Sequence, residues 1–107
     1  MSEQLVVVLC TCPDRQQAMM LANTLVQEKL AACVNLLPEV LSVYQWQGKL
    51  EQAEEVQLLI KTAYSRFNEL SQRIKQLHSY DEPEILALDV KAAGQGYARW
   101  IADVTQN

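Results

Sequence analysis

The sequence predicts an α+β domain: a four-stranded antiparallel sheet, two helices threaded between its strands, a long mid-chain hairpin and a C-terminal helix. Three observations predict it. Leu5-Val6-Val7-Val8-Leu9-Cys10 is an unbroken apolar run, expected to form a central strand buried on both faces. Two stretches place apolar residues at helical spacing: Ala18, Leu21, Ala22, Leu25 and Val26, then Phe67, Leu70, Ile74 and Leu77. Between them lie two strand-like segments joined by the tight turn Gln47-Gly48-Lys49.

Taken in order, Pro13 ends the first strand and leaves Cys12 in the turn rather than the strand. Asp14 is placed to cap the first helix, which is expected to end near Leu30–Ala32. Val34 to Trp46 reads as the second strand, with a bulge or edge position at Pro38, because proline cannot donate to a ladder. Leu50 to Thr62 reads as the third, clearest where Val56, Leu58 and Ile60 alternate with Gln57, Leu59 and Lys61. Ser65 is placed to cap the second helix. Ile85 to Val90 is the fourth strand, and Gly94-Gln95-Gly96 separates it from a last helix bearing Tyr97, Ile101 and Val104. The order β-α-β-β-α-β is the split βαβ, ferredoxin-like arrangement. It takes up residues 1–107 as one domain, a size that supports one core.

Composition narrows the function classes. A formal net charge of −4 disfavours nucleic acid or an anionic membrane as partner, since both need a basic face. An RNA-binding sheet would also carry aromatics in its central strands, and here those strands read Leu-Val-Val-Val-Leu and Val-Gln-Leu-Leu-Ile-Lys. Three cysteines, Cys10, Cys12 and Cys33, are an odd number and read as reduced thiols. The N-terminus lacks a basic region and a signal-length apolar run, so a cytoplasmic location is expected.

The chemistry gathers by topology rather than by sequence proximity. In this arrangement the strands are ordered fourth, first, third, second. The end of the first strand, with Cys10, therefore lies beside the start of the fourth, with Glu84. His78, the single histidine, closes the second helix just upstream, while Asp81 and Glu82 are expected to be solvated loop. The hairpin strands, each about thirteen residues, exceed the ~3–10 of ordinary strands. At ~3.3 Å per residue they reach roughly 43 Å, beyond a compact domain. Tyr44 and Trp46 near the hairpin tip would be exposed on a monomer, which predicts a homo-oligomer.

Four separated motifs resemble one family. They are Val8-Leu9-Cys10-Thr11-Cys12-Pro13-Asp14, Glu28-Lys29-Leu30-Ala31-Ala32-Cys33, Tyr44-Gln45-Trp46-Gln47-Gly48-Lys49-Leu50-Glu51 and His78-Ser79-Tyr80-Asp81-Glu82-Pro83-Glu84-Ile85. Together they resemble the CutA divalent-cation tolerance proteins. The resemblance implies a homotrimer similar in architecture to the PII signalling proteins, active in metal tolerance. It implies copper(II) or another divalent cation bound near the subunit interfaces, and no enzymatic activity. Carried over by position, the ligands are Cys10, His78 and Glu84; Tyr44, Trp46 and Trp100 are expected at the interface. Two positions depart from the family pattern: Leu77 stands where a second histidine can occur, and Ser79 where proline is common.

Several readings compete for these residues. Sulfur, nitrogen and oxygen donors together suit Cu(II) or Zn(II). The plainer reading is a small buried thiol, a helix-terminal histidine and a surface carboxylate. A catalytic reading makes Cys10 a nucleophile with His78 as its base. In a fourth, a PII-like trimer binds a small anionic ligand through Lys61, Arg66, Arg73 and Lys75; a solvated helix face is the plainer account of those cations.

Overall fold

The computed structural model describes residues 3–106. It contains β1 (Leu5–Cys12), α1 (Arg15–Gln27), β2 (Cys33–Trp46), β3 (Lys49–Ala63), a 3-10 turn at Tyr64–Arg66, α2 (Phe67–Leu77), β4 (Leu86–Asp89) and α3 (Gln95–Val104). One four-stranded sheet has the order β2-β3-β1-β4, with β1 antiparallel to both its neighbours. This is the expected ferredoxin-like architecture. Among the described residues, no helix is long and apolar enough to cross a membrane.

Strand parity decides what each face carries. Val6, Val8, Cys10 and Cys12 point together toward α1 and α2, where they join Ala18, Leu21, Leu25, Leu70 and Ile74 in one buried cluster. Val56, Leu58 and Ile60 of β3 enter the same cluster. Leu5, out of phase with Val6, belongs to a second cluster with Ala32 and Ile101, so α3 packs at that end of the other face. The rest of that face includes Leu86 and Leu88, which remain exposed.

The hairpin runs past its own sheet. β1 pairs with β3 only from Ala63 to Val56, whereas β2 and β3 continue together to Trp46 and Lys49. The resulting arm, residues 40–55, stretches the molecule to 47 × 25 × 22 Å. The register shifts between Leu37 and Val40, so Pro38 sits in a bulge as expected, with Glu39 at φ 60°. At the tip Gln47 (φ 51°) and Gly48 (φ 79°) form the two-residue turn whose twist matches a hairpin.

Several boundaries differ from those expected. β1 continues through Cys12, because the residue before a proline is driven into extended conformation rather than out of it. α1 stops at Gln27, since Lys29 turns left-handed (φ 62°) and Leu30 N–H and Ala31 N–H both donate to the Leu25 carbonyl. Leu30, Ala31 and Ala32 are buried in the following loop, which gave that loop its helical appearance. Ser65 caps no helix; its hydroxyl donates to Glu3, and the 3-10 turn leads into α2 instead. In α3 the inward residues are Ala98 and Ile101, followed by the buried Thr105 at its C-terminal cap, while Tyr97 and Val104 face out.

A buried thiol and imidazole cluster

Cys10 and Cys12, two apart on β1, project from the same face. His78 follows the last turn of α2, where its backbone N–H still donates to the Ile74 carbonyl (2.8 Å). The two thiols and an imidazole nitrogen lie within 4.8 Å of one another, and all three side chains are buried. Cys12, assigned to the turn by sequence, is thus one of the three donors.

Glu84 is placed differently. Ile85 packs into the core, so Glu84, its neighbour, has the opposite parity. Its carboxylate accepts from Gln57 Nε2 (3.4 Å), which also donates to the Cys10 carbonyl (3.2 Å). Glu84 is therefore linked to the backbone of Cys10 and stands apart from the two thiols and the imidazole.

The imidazole is fully engaged. His78 Nε2 lies 2.7 Å from the Thr11 carbonyl, and Nδ1 accepts the Tyr80 backbone N–H at 3.0 Å. A carbonyl only accepts and an amide N–H only donates, so the proton sits on Nε2. Tyr80 packs against the ring in a tilted arrangement (centroids 4.8 Å apart, planes at 42°) and its hydroxyl donates to Glu55 (2.8 Å), itself buried. Ser79 ties the loop to α1 through its backbone N–H and its hydroxyl, both directed to Gln17 Oε1.

Electrostatics hold the Cys10 thiol protonated. The Cys10 thiol is pushed far up by its hydrogen bond with Cys12, then by burial and by the negative charges of Glu84 and Glu55. Burial and the Glu55 carboxylate likewise raise the Tyr80 phenol. A thiol so held is the reverse of an activated nucleophile, which argues against the catalytic reading.

As a donor set, two sulfurs and one imidazole nitrogen suit a borderline cation. Thiolates at ~2.3 Å from a shared ion stand roughly 3.8 Å apart, a spacing that falls inside the 4.8 Å within which the three donor atoms lie. The donor set fits in kind. Loading would require the thiol protons to leave and an imidazole lone pair to be released.

The remaining expected residues stand elsewhere. Tyr44 and Trp46 lie exposed on the hairpin arm, and Trp100, half-exposed, packs beside Tyr97 on the outer side of α3 (centroids 5.5 Å apart). Leu77 packs partly against the core rather than toward solvent. Of the four cations, Arg73 pairs with Glu28, Arg66 is buried against Glu69 and the Lys29 carbonyl, and Lys61 bonds Asn35. Three of the four are thus engaged within this chain.

Residues 6–104 match the family model of the CutA1 divalent ion tolerance protein. The chain belongs to that family. Among CutA relatives, the divalent-cation tolerance protein of Pectobacterium atrosepticum is 50% identical over 96 residues, which is 90% of this chain and 87% of its own length. That of Thermus thermophilus is 42% identical over 99 residues, 92% of this chain and 96% of its own. The crystal structure of CutA1 from Oryza sativa superposes with a TM-score of 0.96 at 38% identity, covering 98% of this chain and 96% of that one. The CutA relationship thus agrees with the fold in its full extent, and it places the chain among divalent-metal tolerance proteins.

Proposed function

We propose that the protein is a cytoplasmic homotrimer that binds a divalent cation, copper(II) or zinc(II), through Cys10, Cys12 and His78. The observation that carries this reading is the convergence of those donors within 4.8 Å. Glu84, the third ligand expected from the resemblance, gives way to Cys12 and acts on the centre through its charge. Copper(II) meets softer donors here than a histidine-rich site would offer, and paired thiolates favour zinc or reduced copper. Three unpaired thiols support a reducing compartment. The exposed arm and the bare leucines of the sheet support assembly with further copies.

Titration of the metal-free protein with copper(II) and with zinc(II), followed by calorimetry and native mass spectrometry, tests the site. One ion per chain is expected for wild type, with at least a tenfold loss in each of Cys10→Ala, Cys12→Ala and His78→Ala. Equal affinity in wild type and all three variants would overturn these ligands. Uptake should strengthen with rising pH, because thiol protons must leave.

A further inference from the structure

Neither nitrogen of His78 is free, and both routes to freeing one run through Tyr80. If Nδ1 is to donate its lone pair, the Tyr80 N–H that occupies it must withdraw (3.0 Å). If Nε2 is to donate instead, its proton must move to Nδ1, where it would meet that same N–H donor head-on. Tyr80 is in turn held in place by its hydroxyl bond to the buried Glu55 carboxylate (2.8 Å) and by its ring, tilted 42° against the imidazole at a centroid distance of 4.8 Å. Beside the bond from His78 Nε2 to the Thr11 carbonyl (2.7 Å), which fixes the ring itself, the ties from Ser79 to Gln17 are longer, at 3.3 and 3.2 Å.

We propose that Tyr80 is a positioning residue for the cluster: its bond to Glu55 keeps the His78 loop shut, and breaking that bond frees a His78 nitrogen and opens a path to the two thiols. The use of this latch in metal capture rests on the metal-binding reading above. The latch itself does not, since it governs the buried thiols with or without an ion.

The test uses metal-free protein in chelator. Tyr80→Phe removes only the hydroxyl, Glu55→Leu removes the acceptor, and Glu55→Gln keeps an acceptor for the phenol. Alkylation of Cys10 and Cys12 under native conditions is followed by mass spectrometry, and the His78 ring nitrogens by 15N NMR. A lost hydrogen bond to a charged group should raise the open population, and with it the alkylation rate, about tenfold to a hundredfold in the first two variants. Glu55→Gln should retain slow alkylation, and Tyr80→Phe should shift the Nδ1 resonance toward that of an unbonded nitrogen. Zinc uptake, timed by stopped flow, should quicken in parallel. Unchanged alkylation in Tyr80→Phe overturns the latch, even where zinc still binds. An increase no larger than the urea-measured loss of global stability overturns it as well. Faster alkylation in a protein that takes up no zinc supports the latch and overturns the metal-binding reading instead.

Discussion

At the residue scale the governing fact is a proton inventory. Cys10 holds its proton more tightly in the folded chain than in the unfolded one, where an ordinary thiol loses it near 9.0. Its contribution is therefore intact below that value and erodes as pH rises through it, the unfolded state gaining by ionising first. Tyr80 extends the same trend above its ordinary 10.0. The melting temperature of metal-free protein should accordingly fall as pH climbs past 9, and less steeply in Cys10→Ala. A flat profile in wild type would contradict a buried, protonated Cys10. Cys33, only half-buried, should be the one thiol per chain that reacts promptly with an aromatic disulfide at neutral pH. The histidine and the first cysteine of this centre were legible in the sequence because topology joins the strand ends. Cys12 was hidden by the proline after it, whose effect is to extend its predecessor. Tyr80 and Glu55 were hidden because their bond closes a gap that no periodicity records.

At the element scale the fold was legible wherever one face of an element is buried, and its ends were less so. β3 alternates as read, and α2 buries Leu70 and Ile74 at the expected spacing. Boundaries moved where a backbone bond rather than a side-chain pattern ends the element, as at Lys29. The cap of α1 is one end that local chemistry does fix: Asp14 Oδ1 accepts from Gln17 N–H at 2.8 Å. Asp14→Ala should cost about 1 kcal/mol in urea unfolding. At the hairpin tip Gly48 adopts φ 79° with nothing around it, so the penalty of a side chain is purely conformational. Gly48→Ala should cost about 1–2 kcal/mol, and an unaltered midpoint would show that the turn re-forms differently.

At the scale of the whole molecule the shape is the message. A length of 47 Å against a width of 25 Å leaves residues 40–54 beyond the reach of β1, laddered to one another along the hairpin. Trp46 is 61% exposed and Leu50 73%, on a ribbon of the kind that is marginal alone in water. Sedimentation velocity should find an assembly of wild-type chains. Leu88→Asp, on the bare face of the sheet, should shift it toward monomer, with the arm becoming protease-sensitive. A wild-type chain that sediments as a monomer at every concentration would contradict the homotrimer. The overhang could be read from strand length alone, whereas which surfaces meet could not, because exposure in one chain names no partner.

The bond from His78 to Thr11 has one more consequence. The acceptor is a main-chain oxygen, which every amino acid supplies equally. Thr11 can therefore be exchanged for any residue that keeps β1 extended without removing the imidazole's anchor. A substitution scan would register at position 11 how well each side chain fits its buried place, and not the bond that its carbonyl makes to His78. The geometry of this centre is encoded partly in the strand itself, where no side-chain substitution leaves a trace.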